Sequence, residues 1–219
     1  IISGKTSGGK SSLALNIAVD LCRADYRVTY VNCEMPTDHV INRIVADIGS
    51  VPGAMMFRPF QFKPPHDKLG KIFAAVNEIS KWKLTVIENP PSIESIISTA
   101  RSAKETKGAL IVDYLQLIPD GDLGRKQDSR ERRIAAMSAQ LRALAIELKW
   151  PIIALSQLND DGQIRESRAV GHDAEIVLEV QDDGIHVHKN RNGQRGQTLT
   201  ITLEKSHFRF TQGQWDSED

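Results

Sequence analysis

The sequence predicts an α/β fold in which a mostly parallel, twisted sheet carries helices on both faces and ends in an antiparallel β-meander. Up to residue 157, apolar runs that suit strands alternate with segments of helical periodicity, which favours parallel pairing. The runs at 109–113 and 151–155 are unbroken, as in strands that are covered on both faces. After residue 175, strand patterns follow one another without helical segments between them, so antiparallel pairing is expected there.

Size and composition fit one globular domain. The chain has 219 residues, of which 40% are hydrophobic and 26% charged, enough to bury one core. We expect a single domain over residues 1–215 and an acidic tail over residues 216–219. The 28 basic and 28 acidic side chains cancel. Because DNA binding depends on the local electrostatic field at the binding groove of the protein, this balance neither supports nor excludes DNA binding.

The cysteine content suggests a reducing compartment, and the hydropathy suggests that no segment spans a membrane. Cys22 and Cys33 are the only cysteines, and their spacing suits buried free thiols rather than a disulfide or a zinc site. No apolar run approaches the roughly 20 residues that a membrane span needs, and no signal peptide is visible. We therefore expect a cytoplasmic protein without a membrane partner. The sequence opens in mid-strand, as a piece of a longer chain would.

The first predicted elements enclose a phosphate-binding loop. Ile1 and Ile2 suit the end of a strand, and apolar residues recur at helical spacing from Ser11 to Arg23. Residues 4–11 between them satisfy the pattern G-x-x-x-x-G-K-[ST], whose small residues let backbone N–H groups surround a phosphate. Lys10 can reach the β- and γ-phosphates, and the Ser11 hydroxyl suits Mg²⁺. We predict a site for ATP and Mg²⁺, and the nucleotide-binding residues are Ser7, Gly8, Gly9, Lys10, Ser11 and Ser12.

Strands and helices continue to alternate after this loop. Residues 27–32 are β-branched and aromatic and predict a strand. A helix that Thr37 or Asp38 caps and Gly49 ends should follow. Residues 50–67 are rich in Pro and Phe and are expected to be irregular. The further predictions are helices over 68–81 and 93–104 and a strand over 84–87.

The second half of the chain supplies the two buried strands and then the meander. A charged segment over 120–133 leads from the strand at 109–113 into a long helix that ends near Leu148. The strands at 176–180 and 185–189 flank the turn residues Asp182, Asp183 and Gly184, a hairpin signal. Strands are also expected over 198–203 and 208–211, after a polar turn over 190–196.

Three polar residues follow predicted parallel strands, where open α/β sheets bind ligands. Asp113 can hold Mg²⁺ opposite Ser11, although a lone Asp also caps helices and forms turns. Glu34 is the carboxylate that could polarise an attacking water, or it is a solvated turn residue. Gln157 could contact the γ-phosphate or simply end its strand, and its position alone leaves both interpretations open.

Charged residues further along have two interpretations each. Lys189 and Arg191 flank Asn190 at the turn of the final hairpin, where an arginine finger could reach a neighbouring subunit or where charges are merely solvated. Arg165, Glu166 and Arg168 lie in a loop that could grip a phosphodiester backbone. A second basic cluster over 125–133 contains acidic residues and fits a solvated face better. Neither loop contains an aromatic residue, so base stacking is not indicated.

Several of these motifs together resemble the C-terminal motor domain of DnaB-type replicative helicases. The matching stretches are residues 33–36, 111–117, 153–159, 165–167, 173–175 and 189–193. The resemblance implies a RecA-like phosphate-loop core that assembles as a hexameric ring around single-stranded DNA. It implies that Glu34 is the catalytic base, that Gln157 senses the γ-phosphate, and that Lys189 and Arg191 reach the neighbouring nucleotide.

The resemblance also assigns the DNA contacts and the partners. It implies that Arg165, Glu166 and Arg168 fall where the family's central loop contacts the DNA backbone, and that a primase and a helicase loader are partners. Compared with the family pattern, we expect no helical N-terminal domain within these residues, and the segment between Asn159 and Arg165 is shorter than the resemblance implies. Arg168 stands where the family tends to have a small residue.

Two other functions share parts of this pattern. A recombinase of the RecA or RadA type has the same phosphate loop and a carboxylate like Glu34, and a nucleotide-switched helicase accessory protein would bind without hydrolysis. The context of residues 156–159 and 189–191 favours the helicase, and the complete set of hydrolytic residues disfavours the switch.

Overall fold

A nine-stranded sheet organises the protein. The computed structural model describes residues 1–103, 107–119, 129–158, 168–211 and 213–215. Along the sheet the strands follow the order β11-β8-β7-β6-β1-β5-β4-β2-β3, and a separate two-stranded sheet pairs β9 with β10. The strands are β1 Ile2–Gly4, β2 Arg27–Asn32, β3 Leu84–Glu88, β4 Gly108–Asp113, β5 Ile152–Gln157, β6 Ile176–Gln181, β7 Gly184–Asn190, β8 Thr198–Thr200, β9 Leu203–Glu204, β10 Arg209–Phe210 and β11 Gln214–Trp215.

The pairing confirms the predicted mixture of parallel and antiparallel strands. β6, β1, β5, β4, β2 and β3 pair in parallel, in that order. β7, β8 and β11 extend the sheet by antiparallel pairing from the side of β6. Because the parallel strands share one direction, their carboxyl ends meet at one edge, and the phosphate loop leaves β1 at that edge.

Helices cover both faces, as the unbroken apolar strands predict. They are α1 Lys10–Arg23, α2 Thr37–Ile48, α3 Gly53–Phe57, α4 His66–Ile79, α5 Ile93–Ser102, α6 Arg130–Leu148 and α7 Arg168–Asp173, with a short 3-10 helix at Leu115–Leu117. Neighbouring residues of β2 belong to different cores: Tyr30 packs with α1 and α2, and Val31 packs with α5 and α6. Side chains of a strand alternate between its faces, so the sheet separates two cores.

Helix α2 begins differently from the prediction. The expected cap by Thr37 or Asp38 is wrong, because the helix begins at Thr37 and Pro36 occupies the cap position. Glu88 at the end of β3 takes the capping role, since its Oε2 accepts from the Thr37 N–H and hydroxyl, each at 2.7 Å. The predicted end at Gly49 is confirmed.

The stretch from residue 50 to residue 81 also differs in detail. The region expected to be irregular contains α3, whose five residues are too few to give a periodic signal. Helix α4 runs from His66 to Ile79 rather than over 68–81. Its face with Ala75 is buried, whereas Leu69, Phe73 and Val76 are exposed.

The strand expected over 198–203 is divided. Residues 198–200 form β8 in the large sheet, and Leu203 begins β9 in the two-stranded sheet. Two-residue strands such as β9 and β10 have no alternation that a sequence pattern could reveal. The short helix α7 was likewise not predicted, and the expected acidic tail at 216–219 lies outside the described residues.

The two cysteines are free thiols, as predicted. Cys22 is buried and Cys33 half-buried. Burial raises the pKa of both thiols to about 12, and the Asp113 carboxylate adds to this effect at Cys33. Among the described helices, none combines the length and the apolar character that a membrane crossing would require.

Candidate nucleotide-binding site

The phosphate loop has the shape that its glycines permit. It leaves β1 at Gly4 and enters α1 at Lys10. Gly9 has φ 98° and Ser7 has φ 61°, so both residues lie in the left-handed region. The Gly8 N–H donates to the Lys5 carbonyl at 3.1 Å, which closes the turn. The first turn of α1 therefore opens directly onto the loop, and Gly9 offers no side chain to occupy its N–H groups.

Lys10 holds its charge inside this loop. Its Nζ donates to the carbonyls of Gly4 at 3.0 Å and Lys5 at 2.7 Å, and the residue is 8% exposed. Burial lowers the pKa of Lys10, and the nearby carboxylates of Asp113 and Glu34 oppose that shift. An ammonium group held by two carbonyl oxygens can exchange these partners for phosphate oxygens.

Asp113 at the end of β4 is a buried carboxylate supported by two hydroxyl groups. Tyr30 on β2 donates to its Oδ2 at 2.7 Å, and the Ser11 hydroxyl forms a further hydrogen bond. Burial raises the pKa of Asp113, while the bonds from Tyr30 and Ser11 lower it. A serine hydroxyl beside a carboxylate is a pair of hard oxygen donors, so these two residues fit Mg²⁺.

Glu34 reaches the same edge through a turn that Asn32 organises. The buried Asn32 side chain accepts from the backbone N–H of Glu34 at 3.4 Å and of Met35 at 3.1 Å. It also donates to the Met35 carbonyl. The turn leaves the Glu34 side chain exposed to solvent. A carboxylate in that position can contact water, which a general base requires.

One cavity of about 300 Å³ is lined by Glu34, Gln157 and residues of the phosphate loop, whereas Asp113 is not among the described residues that line it. Its lining residues are Thr6, Ser7, Gly9, Lys10, Ser11, Ser12, Glu34, Met35, Arg43, Gln157, Leu203, Lys205 and Phe208. Gln157 enters it because β5 pairs with β1, which sets Gln157 beside Gly4. The phosphate loop after β1 and the carboxyl ends of β2 and β5 thus surround one volume.

Five lining residues outside the phosphate loop were missed by sequence reasoning: Met35, Arg43, Leu203, Lys205 and Phe208. Arg43 lies on α2, nine positions after Glu34 in the sequence, and together with Lys205 adds to the positive charge of Lys10 in the lining. A polar residue at a cavity-facing helical position could have signalled it. Leu203 lies on β9, and Lys205 and Phe208 lie in the turn between β9 and β10; no local pattern marks these three residues.

Lys189 and Arg191 lie away from this cavity. They are absent from the described residues that line it. Lys189 Nζ donates to the carbonyls of Gly171 and His172, each at 2.9 Å, and Arg191 pairs with Glu175 at 2.7 Å. The register explains the separation, because β6 runs parallel to β1 and β7 returns antiparallel, ending opposite Ile176. Gly4 lies beside Val180, four residues further, or roughly 13 Å along the sheet.

The structure does not describe the side chains of the residues predicted to contact DNA. Arg165 and Glu166 lie outside the described residues. Arg168 is the first residue of α7, and its side chain also lies outside what the structure describes. The DNA contacts stay a prediction.

The phosphate loop joins a parallel strand to a helix, and a hydroxyl–carboxylate pair and an exposed glutamate lie at the same edge of the sheet. These features define an α/β domain of the nucleotide-hydrolysing class. The family is identified by sequence comparison. Residues 1–212 match the DnaB-like helicase C-terminal domain, so the chain belongs to that family.

Relatives and solved structures agree with this assignment. The replicative DNA helicase DnaB of Geobacillus stearothermophilus is 28% identical over 96% of this chain and 51% of its own length. A probable plasmid replicative DNA helicase of Chlamydia psittaci is 29% identical over 81% of this chain and 41% of its own. The chain thus spans about half the length of the curated relatives it matches.

Among solved structures, an ATPase domain superposes with TM-score 0.88 at 26% identity, covering 96% of this chain and 83% of that one. A DnaB-like replicative helicase, described with its interactions with primase, superposes with TM-score 0.87 at 26% identity, covering 96% and 56%. The predicted helicase-type core is confirmed.

Proposed function

We propose that this chain is the ATP-hydrolysing motor domain of a replicative DNA helicase, which translocates on single-stranded DNA and separates the duplex. The observation that carries the proposal is the convergence of the phosphate loop, Glu34, Asp113 and Gln157 at one sheet edge. Membership of the DnaB-like family supports it.

The phosphate loop would bind the triphosphate of ATP. The N–H groups at the start of α1 point partial positive charge at the β-phosphate. Lys10 would leave the Gly4 and Lys5 carbonyls and contact the β- and γ-phosphates. Ser7, Gly8, Gly9 and Ser12 would supply the remaining contacts of the loop.

Ser11 and Asp113 would hold Mg²⁺. The cation would supply neutralisation of phosphate charge during hydrolysis. Tyr30 keeps the Asp113 carboxylate oriented toward Ser11 by its hydrogen bond. Burial disfavours the charged form of Asp113. A bound cation would offset this cost by neutralising the charge of the carboxylate.

Glu34 would accept a proton from the attacking water. Its exposure at the cavity and the turn held by Asn32 support this role. Gln157, half-buried at the end of β5, would contact the γ-phosphate. Release of the γ-phosphate would then remove a contact of Gln157 and so affect strand β5.

Lys189 and Arg191 would act on the nucleotide of a neighbouring copy. The register separates them from the loop of their own chain, which supports contact between subunits rather than within one. Arg191 is exposed, and its ion pair with Glu175 is of the solvent-accessible kind that exchanges readily. A hexameric ring around single-stranded DNA satisfies this geometry, with Arg165, Glu166 and Arg168 as DNA contacts. A primase and a loader are further proposed partners.

The experiment separates nucleotide binding from hydrolysis. Glu34→Gln should retain binding of ATP and lower kcat by at least about 10²-fold, because only the proton acceptor is lost. Lys10→Ala should lose both binding and hydrolysis. Glu94→Gln on the exposed start of α5 is the matched control and should hydrolyse like the wild type.

Measurement of DNA-stimulated phosphate release and forked-duplex unwinding tests the proposal. Hydrolysis retained by Glu34→Gln would contradict the catalytic assignment. Hydrolysis without unwinding at any assembly state would contradict the helicase function.

A further inference from the structure

The β9–β10 hairpin, residues 203–210, lies directly on the phosphate loop. Its two strands pair antiparallel, with Leu203 opposite Phe210. A Cβ added at Gly9 would come within 2.8 Å of Leu203 Cδ2 and 3.2 Å of Phe210 Cζ. Because Gly9 has no side chain, Leu203 and Phe210 of the hairpin can pack directly against the loop at this position.

The same hairpin contacts α2 at two positions one helical turn apart. The Arg43 guanidinium lies 5.0 Å from the centroid of the Phe208 ring. Arg209 donates from Nε to Asp47 Oδ1 at 2.6 Å and from its terminal nitrogen to Ser50 Oγ at 3.0 Å. Because residues i and i+4 share a helix face, Phe208 and Arg209 together engage one face of α2.

Asn16 on α1 fixes the backbone of the hairpin. Its side-chain nitrogen donates to the Phe208 carbonyl at 3.1 Å and to Asp47 Oδ2 at 2.9 Å. Its oxygen accepts from the Phe210 N–H at 2.9 Å. Both oxygens of the buried Asp47 carboxylate are thus bonded, and removal of Arg209 would leave a buried charge without its cation.

The Phe208 ring is packed on other sides as well. A Cβ at Gly53 would come within 2.4 Å of its Cε2, and Phe57 contacts the ring edge-on at a centroid distance of 5.9 Å. The ring therefore has a fixed orientation, and Arg43 lies over it. Arg43 itself lines the nucleotide cavity with Glu34 and Lys10.

We propose that the β9–β10 hairpin positions Arg43 for phosphate contact, with Phe208 as the platform for its guanidinium and Arg209, held by Asp47, as the anchor of the platform. Phe208 and Arg209 are positioning residues, since they act through Arg43. The inference rests on the proposed hydrolysis of ATP in this cavity. It adds Arg43 as a cation from the same subunit, and the position of Arg43 depends on residues 203–210.

A double-mutant cycle between Phe208 and Arg43 tests this inference on the protein at its natural length with single-stranded DNA. Phe208→Leu should lower kcat about tenfold through loss of the cation–π contact, and Phe208→Tyr should restore it because the ring face returns. Arg43→Ala should lower kcat by about 10²-fold. The double variant should fall no further than Arg43→Ala alone, since Phe208 then has nothing to position.

Further variants separate positioning from a general loss of structure. Phe73→Leu makes the same substitution on the exposed face of α4 and should leave kcat unchanged. Arg209→Ala should also lower kcat and also be non-additive with Arg43→Ala, so the test does not depend on the folding of one variant.

Each outcome decides one question. Additive effects of Phe208→Leu and Arg43→Ala, or wild-type kcat in Arg43→Ala, would overturn the positioning role while leaving the proposed function intact. A wild-type protein that binds no ATP would overturn the proposed function and this inference with it.

Discussion

The hydrogen bond from Tyr30 to Asp113 links the core of the protein to its proposed metal site. Tyr30 has no exposed surface, and Asp113 is 1% exposed. Burial and the Asp113 charge raise the pKa of Tyr30 far above its usual range, so the hydroxyl remains a donor at any working pH. The bond holds the carboxylate toward Ser11 and opposes the rise that burial causes in the pKa of Asp113.

Tyr30→Phe should therefore weaken cation binding. Loss of the donor raises the pKa of Asp113 further, so the acid limb of the ATPase pH profile moves to higher pH and more Mg²⁺ is needed. The buried acceptor left behind should also cost about 1–3 kcal/mol of unfolding free energy. Magnesium titrations of hydrolysis and urea unfolding measure the two effects.

Tyr26→Phe is the matched control for that substitution. Tyr26 is half-buried, and its ring lies under Lys107 at 4.3 Å, an interaction that does not use the hydroxyl. It should keep the wild-type magnesium requirement. An unchanged requirement in Tyr30→Phe would contradict the metal role of Asp113.

At the scale of elements, helix α2 depends on strand β3 for its start. Glu88 caps the Thr37 N–H from outside the helix, although the two residues are 51 positions apart in sequence. Helix α2 carries Arg43 and Asp47, so this contact fixes the start of a helix that lines the candidate nucleotide cavity through Arg43. Hydrogen bonds from Thr37 lower the pKa of Glu88 below its ordinary value of 4.5.

Glu88→Gln should slightly lower the thermal midpoint at neutral pH, because the amide is a weaker acceptor than the carboxylate. With a folded pKa below the unfolded one, the stabilising contribution is present above pH 4.5 and is lost as pH falls through the lowered folded value. Thermal melts of the wild type and the variant should thus converge in acid. A difference that persists there would contradict the capping role.

At the scale of the whole molecule, the predicted catalytic residues fall into two separate sets. The loop, Glu34, Asp113 and Gln157 meet at the carboxyl ends of the parallel strands. Lys189 and Arg191 lie at the other end of the antiparallel strand β7. If both sets act in hydrolysis, they come from different copies of the chain.

Mixing Arg191→Ala and Lys10→Ala proteins should restore part of the hydrolysis that each lacks alone. A site that pairs the intact loop of the first with the intact Arg191 of the second is complete. Phosphate release across a series of mixing ratios measures the recovery. Failure to recover at any ratio would mean that Arg191 acts within its own subunit.

A second mixture provides the control for this complementation. Lys10→Ala and Glu34→Gln both damage the loop-bearing side of the site, so no arrangement of their subunits completes it. This mixture should stay inactive, which would distinguish shared sites from nonspecific stabilisation of an assembly.

Sequence alone determined the phosphate loop, the parallel part of the sheet and the approximate places of Asp113, Glu34 and Gln157. Each depends on a local signal: a fixed spacing of small residues, an apolar run, or a polar residue where that run ends. Parallel strands then bring their ends to one edge whatever their lateral order, so convergence of these residues was predictable before the strand order was known.

The tertiary structure decided what depends on contacts between distant segments. The order of the strands separates Arg191 from the loop, Glu88 rather than Thr37 or Asp38 caps α2, and residues 203–210 close on Gly9. None of these has a local pattern, because two-residue strands lack alternation and a cap from another strand leaves no mark near the helix. The phosphate loop was therefore evident in the sequence. Its neighbours Arg43 and Phe208 became evident only from the tertiary structure, in which α2 and the β9–β10 hairpin lie against the loop.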